Sequence, residues 1–208
     1  AFGINAELLI DHAWGRETTT IRDIKAYKPK STSLSSGQVL MRDYTFAEGR
    51  VILQEMTDQL CMDMLERKMA TSSVTFLVGF THAAGRRPLR RTVDIPTASN
   101  AAAVILPEVL SAYDGLREEF FDAFGEDGAM IRRFSVSCNA LVPESRPEQI
   151  ALFFAEDRKR EREKQLQKAV LHIKNRFGKN ALLRGTDLTE AATIRERNHQ
   201  IGGHKSGE

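Results

Sequence analysis

Within the span from Ile52 to Phe80 the hydrophobic period of the chain drops from four to two. Ile52, Met56, Leu60 and Met64 recur every fourth residue, with Leu53 and Leu65 beside them, which predicts a helix over about 46–69 with one apolar face. The stretch SSVTFLVGF then alternates. Val74, Phe76, Val78 and Phe80 share one parity, and Ser73, Thr75, Leu77 and Gly79 share the other, the pattern of a half-buried strand. Further strands are predicted around Ser33 to Tyr44, in LRRTVDI as far as Pro96, and in MIRRFSVSCNALV, where Phe134, Val136 and Cys138 fall on one parity. A helical stretch over roughly 98–124 separates the last two, with Pro107 either kinking it or opening a fresh helix. The order is strand, helix, strand, strand, helix, strand. Such a βαββαβ unit folds most simply as an α+β domain: a four-stranded antiparallel sheet with two helices on one face. The other face is left open.

That open face sets the functional expectation. If Val74, Phe76 and Val78 point at the helices, then Ser73, Thr75, Gly79 and Thr81 point away from them, as do Arg133, Ser135, Ser137 and Asn139. Arg132 belongs near the strand edge. The first strand and its approach add Lys28, Lys30, Ser31, Thr32, Ser33, Ser35, Ser36 and Gln38, and the third strand and its turn add Arg86, Arg87, Arg90 and Arg91. Hydroxyls, backbone amides and guanidinium groups are suited to holding a phosphate backbone without reading bases. No Phe or Tyr is expected in mid-strand on that face, which argues against a base-stacking platform. The net charge of +2 conceals this segregation, because Asp114 to Asp127 is acidic while Lys25 to Lys30 and Arg86 to Arg91 are basic.

The flanks read differently. Residues 1–15 carry a short helical pattern, and residues 16–37 are polar, rich in Lys, Ser and Thr, and read as a linker. After VPESRP comes EQIALFF, an apolar run with no amphipathic context to bury it, followed by a charged helix over about 156–177 and a second helical segment from Thr189 to about His199. The run reads as a segment presented to another protein. Leu166, Val170 and Ile173 form one stripe, so the later turns of the charged helix are amphipathic and can dock on the body or on another factor. Cys61 and Cys138 are expected to be buried thiols in a reducing compartment. No stretch approaches the length of a membrane span. The chain opens without a charged leader and is expected to be a piece of something longer. No pair of carboxylates, phosphate loop or nucleophile set suggests catalysis, so neither a metal nor a cofactor is expected.

The ordered series KPKSTSLSSGQVLMRDY, VTFLVGFTH, IPT, IRRFSVSCNALV, QIALFF, RFGKNALLRGTDL and RERNHQIGGHK resembles the C-terminal half of UmuC-like Y-family translesion DNA polymerases. The likeness is to their UV-damage-repair branch, the ImpB/MucB/SamB-like proteins. It implies a thumb remnant and linker at 1–27, a little-finger DNA-binding domain at 28–143, and a clamp-binding motif with a helical tail at 144–208. It implies damaged primer-template DNA and the replisome's sliding clamp as partners, a cytoplasmic monomer, and magnesium only in catalytic palm and fingers that lie upstream. As given, the chain is not expected to be an enzyme. The clamp motif would be Gln149, Ile150, Ala151, Leu152 and Phe153, with Leu152 and Phe153 filling an apolar cleft and Gln149 anchoring by hydrogen bonds; Ile150 and Ala151 depart from the family's pattern. The alternative is a non-catalytic interaction module whose basic sheet face meets an acidic protein.

Overall fold

The structure, a computed structural model, describes residues 5–16, 19–27, 32–125, 128, 130–145 and 154–200. The chain divides into two compact units, Ala1–Ser31 and Thr32–Glu208. In the first unit α1 spans Asn5–Ala13 and α2 spans Ile21–Ala26. The second of these falls in the stretch that reads as linker. Its start is a reciprocal cap: the Thr20 hydroxyl accepts from the Asp23 backbone at 3.2 Å, and the Asp23 carboxylate accepts from the Thr20 backbone at 3.0 Å. None of its residues is buried, so the cap, not a hydrophobic face, defines it.

In the second unit the chain runs β1 (Leu34–Tyr44), α3 (Phe46–Glu66), β2 (Met69–Phe80), β3 (Leu89–Ser99), α4 (Ala102–Asp114), α5 (Arg117–Phe124), β4 (Ile131–Asn139) and β5 (Val142–Pro143). The βαββαβ expectation holds, and the main strands pair antiparallel in the order β1-β4-β2-β3. The sheet has five strands, not the four expected. The two-residue β5 pairs with Met69 and Ala70, where β2 starts earlier than its alternating core suggests. Pro96 does not end β3, which continues to Ser99. A register slip between the Ser73–Asp94 and Thr71–Ser99 pairs takes up the proline, as an edge strand allows. Pro107 neither starts a helix nor stops one; α4 runs through it, and the break falls at Gly115.

The α3 stripe packs Ile52, Leu53, Met56, Leu60 and Met64, all fully buried, against Val74, Phe76, Val78, Phe134, Val136 and Cys138 of the sheet. Tyr113 of α4 stacks on Phe46 at 4.5 Å between centroids and donates its hydroxyl to the Phe46 carbonyl at 2.8 Å. Gly49 permits this close seat. A Cβ there would lie 2.5 Å from the Tyr113 hydroxyl and 2.8 Å from Ile131 Cδ1. Burial raises both cysteine thiols, Cys61 well up and Cys138 to about 12, so neither is poised to react.

The tail closes the helix side. In α6 (Phe154–Phe177) the buried Gln167 accepts from the Ala102 backbone at 3.3 Å and donates to the Asn100 carbonyl at 2.9 Å. It thereby supplies the cap that α4 lacks in its own sequence. Beyond α6, Arg184 grips Asp58 with two hydrogen bonds at 3.0 and 2.6 Å, and Gln54 donates to Thr186 at 3.1 Å. The second helical segment is shorter than expected, a single turn, α7, at Ile194–Arg197. There Thr193 donates its backbone N–H and its hydroxyl to the buried Glu55 carboxylate.

Candidate nucleic-acid interface

Strand parity decides which side chains reach the open face. Register pairs Ser35 with Ser137, Gly37 with Ser135, and Val39 with Arg133 across β1 and β4. Across β4 and β2 it pairs Ser137 with Thr75, Ser135 with Leu77, and Arg133 with Gly79. Thr75 and Leu77 in turn face Thr92 and Arg90 of β3. These rows make two regions. Toward one end lies a hydroxyl chain: Ser137 donates to Asn139 Oδ1, Asn139 donates to Thr75 Oγ1, and Thr75 meets Thr92, each at 2.9 Å.

The other end is basic. Arg133 and Arg90 take the open-face parity of β4 and β3, and Arg86, from the loop after the short 3₁₀ turn at His82–Ala84, comes beside Arg133. A hollow of about 520 Å³ opens here, lined among others by Thr81, His82, Arg86, Arg132 and Arg133. Arg132 reaches Asp43 at 3.4 Å, and Arg86 lies over the Phe124 ring at 5.6 Å. Among the described residues Arg87, Arg90 and Arg133 make no ion pair, so their guanidinium groups are available to an anion.

The structure therefore gathers Ser35, Arg86, Arg90, Arg132, Arg133 and Ser135 on or beside one face, with Ser33 just ahead of β1 and Arg87 exposed in the loop ahead of β3. Three residues expected there lie elsewhere. Ser36 stands opposite the buried Val136 and accepts from Arg197 of the tail at 3.3 Å. Gln38 shares the parity of the buried Leu40, faces the helix side, and donates to Thr193 of the tail at 2.8 Å. Arg91 stands opposite Phe76, shares its face, and pairs with Glu119 of α5 at 2.8 Å. Adjacent residues of a strand point to opposite faces, so Arg90 and Arg91 cannot serve one surface. Lys28, Lys30, Ser31 and the five residues Gln149, Ile150, Ala151, Leu152 and Phe153 lie outside the described residues.

Sequence reasoning missed the apolar members of the face. Val39 is 66% and Met41 88% exposed, on the parity of Ser35 and Gly37. It also missed His82 at the hollow and Thr92 in the hydroxyl chain. The parity of β1, fixed by Leu40, was the available signal for Val39 and Met41. No aromatic ring stands in mid-strand on this face among the described residues.

A family model described as the impB/mucB/samB family C-terminal domain matches residues 31–152. The chain is similar to UvrX of Bacillus subtilis (strain 168), whose name marks it as a candidate UV-damage repair protein, at 24% identity over 208 residues; the match covers 99% of this chain and 46% of that one. It is similar to DNA polymerase IV 2 of Halalkalibacterium halodurans at 27% identity over 206 residues, covering 98% of this chain and 46% of that one. The chain thus spans about half the length of these curated relatives. Among solved structures it is similar to the little finger domain of PolIV in complex with the beta-clamp processivity factor, with a TM-score of 0.38 and 11% identity over 58% of this chain and 97% of that one.

Proposed function

The chain belongs to the impB/mucB/samB family through that C-terminal domain, and from this premise we propose that it is the non-catalytic DNA-holding region of a translesion DNA polymerase. Its open sheet face grips primer-template DNA by the phosphate backbone. The observation that carries this reading is the sorting of arginines by parity: Arg91, on the helix side, is neutralised by Glu119, while Arg90 and Arg133, on the open side, pair with no carboxylate among the described residues. Guanidinium groups in that state bind phosphate oxygens in fork geometry. Damaged DNA suits such a surface, because backbone contacts do not depend on the integrity of a base. In the same reading Gln149 to Phe153 tether the region to the sliding clamp as a short peptide with apolar anchors.

The test is a titration of fluorescent primer-template duplex over a salt series. Arg133→Ala is expected to weaken binding to several unrelated sequences alike and to lower the salt slope by about 0.9, the share of one phosphate contact on duplex DNA. An effect confined to one sequence would contradict backbone binding. Absent or salt-insensitive binding would favour the rival reading, an acidic protein on the basic face.

A further inference from the structure

Gly79 lies on the open face, on the parity of Thr75 and Leu77, yet it is buried. Arg133 covers it: the three heavy atoms nearest to a Cβ placed at Gly79 all belong to that side chain, Nε at 3.1 Å, Cβ at 3.2 Å and Nη2 at 3.6 Å. Directly opposed residues in an antiparallel pair ordinarily hold their Cβ atoms about 4.5–5.5 Å apart. Arg133 is therefore not standing beside its cross-strand partner but lying across it. The backbone does not demand glycine here, since Gly79 sits in ordinary strand conformation with no positive φ. A second irregularity adjoins it. The pairing of β2 with β4 steps from Gly79–Arg133 to Phe80–Ile131, so Arg132 is an extra, unpaired residue at that point. Such a bulge bends the strand and re-aims its side chains, and here both arginines come to line one hollow.

We propose that Gly79 is a positioning residue for DNA binding: by leaving its own side-chain space empty it lets Arg133 lie flat on the sheet, with the guanidinium fixed at the mouth of the arginine-lined hollow where a backbone phosphate docks. The inference rests on the phosphate-binding reading of this face and adds to it the device that fixes the arginine. A flat, laterally held guanidinium loses less rotamer freedom on binding than one free in solvent.

The experiment compares the full chain with Gly79→Ala, Gly79→Val, Arg133→Ala and the double variant Gly79→Val/Arg133→Ala, each titrated with fluorescent primer-template duplex across a salt series. Valine has the higher strand propensity, so if the empty side-chain space has no role the melting temperature is unchanged or raised, and if its role is structural alone the melting temperature falls, with the salt slope unchanged in both cases. The positioning role predicts that Gly79→Val lowers the slope by about 0.9, as Arg133→Ala does, and that the double variant loses no more than either single one. Gly79→Ala, the smaller change, guards against misfolding and is expected to shift the slope in the same direction. If Arg133→Ala lowers the slope while Gly79→Val and Gly79→Ala leave it unchanged, the positioning role is overturned and the phosphate-binding reading stands. If Arg133→Ala itself changes nothing, both fall together.

Discussion

Replacing Gly49 by alanine tests how the helix layer is seated. On an exposed helix surface this change stabilises by about 1 kcal/mol, the difference in helix propensity. In α3 the added methyl would stand 2.5 Å from the Tyr113 hydroxyl, 2.8 Å from Ile131 Cδ1 and 3.1 Å from Phe134 Cζ, all in fully buried side chains. Overpacking of that kind costs about 1–3 kcal/mol. Displacing Tyr113 also breaks its 2.8 Å hydrogen bond to the Phe46 carbonyl, and a buried hydroxyl left without a partner costs about 1–3 kcal/mol more. Set against the propensity gain, the net loss is about 1–5 kcal/mol. At about 2–4 °C per kcal/mol for a chain of this size, a mid-range loss of about 3 kcal/mol lowers the melting temperature by roughly 6–12 °C. Thermal and urea melts measure this directly. Tyr113→Phe removes the closest obstacle, so in a double-mutant cycle the pair should be less destabilised than the sum of the singles, by about 0.5–3 kcal/mol. A Gly49→Ala protein melting at or above the unmodified one would refute the steric account.

Three further outcomes are expected. Arg42, with the Thr45 cap, holds the Glu48 carboxyl down to about 2, against an ordinary value of 4.5; a depressed carboxylate stabilises above its unfolded pKa and loses that contribution as pH falls. Stability should therefore decline between those values, and Glu48→Gln should flatten the decline in urea midpoints taken from about pH 5 to about pH 3, with identical slopes counting against the cap. Leu152→Ala with Phe153→Ala should abolish clamp binding at a cost of about 2 kcal/mol or more while leaving the melt intact; a large fall in melting temperature with clamp affinity unchanged would sink the clamp assignment. The chain as given should incorporate no nucleotide on a primed template with magnesium or manganese, and template-directed extension would overturn its assignment as a non-catalytic region.

Legibility in the sequence followed the source of each side chain's partner. In β2 and β4 both faces are set by the sheet itself, so Val74, Phe76 and Val78 against Thr75 and Gly79 declared their parity through plain alternation. In β1 the inward positions include Ser36 and Gln38, polar residues with no apolar signature. The parity of Leu40 turns them inward, where Arg197 donates to Ser36 at 3.3 Å and Gln38 donates to Thr193, partners more than 150 residues away in the chain. The docking of the tail was open for the same reason. Its contacts with α3 run through Glu55, Gln54 and Asp58, which read as a solvated helix face until Thr193, Thr186 and Arg184 arrive. Burial raises the Glu55 carboxyl, with the Thr193 hydrogen bonds pulling the other way, a balance that no local pattern displays. Arg91 was legible and misread: in a strand its face is opposite to that of Arg90 whatever the sequence context.

Three ion pairs extend the same logic from strand parity to the helix layer. Arg50 is paired with Asp114 at 2.8 Å, Arg91 with Glu119 at 2.8 Å, and Arg184 with Asp58 at 2.6 Å, all on the helix side. Exposed pairs such as the first two contribute little to stability, about 0–1 kcal/mol each, so their energetic worth does not explain their placement. On the phosphate-binding reading their effect on the field matters more, because each neutralises a positive charge on the side away from the open face. Glu119 of α5 lies on the helix side with Arg91, and among the described residues Arg90 and Arg133 of the open face make no ion pair. A net charge of only +2 can then coexist with a strongly positive patch that steers a polyanion to one face. On the phosphate-binding reading, Glu119 directs DNA by neutralising the arginine that points the wrong way.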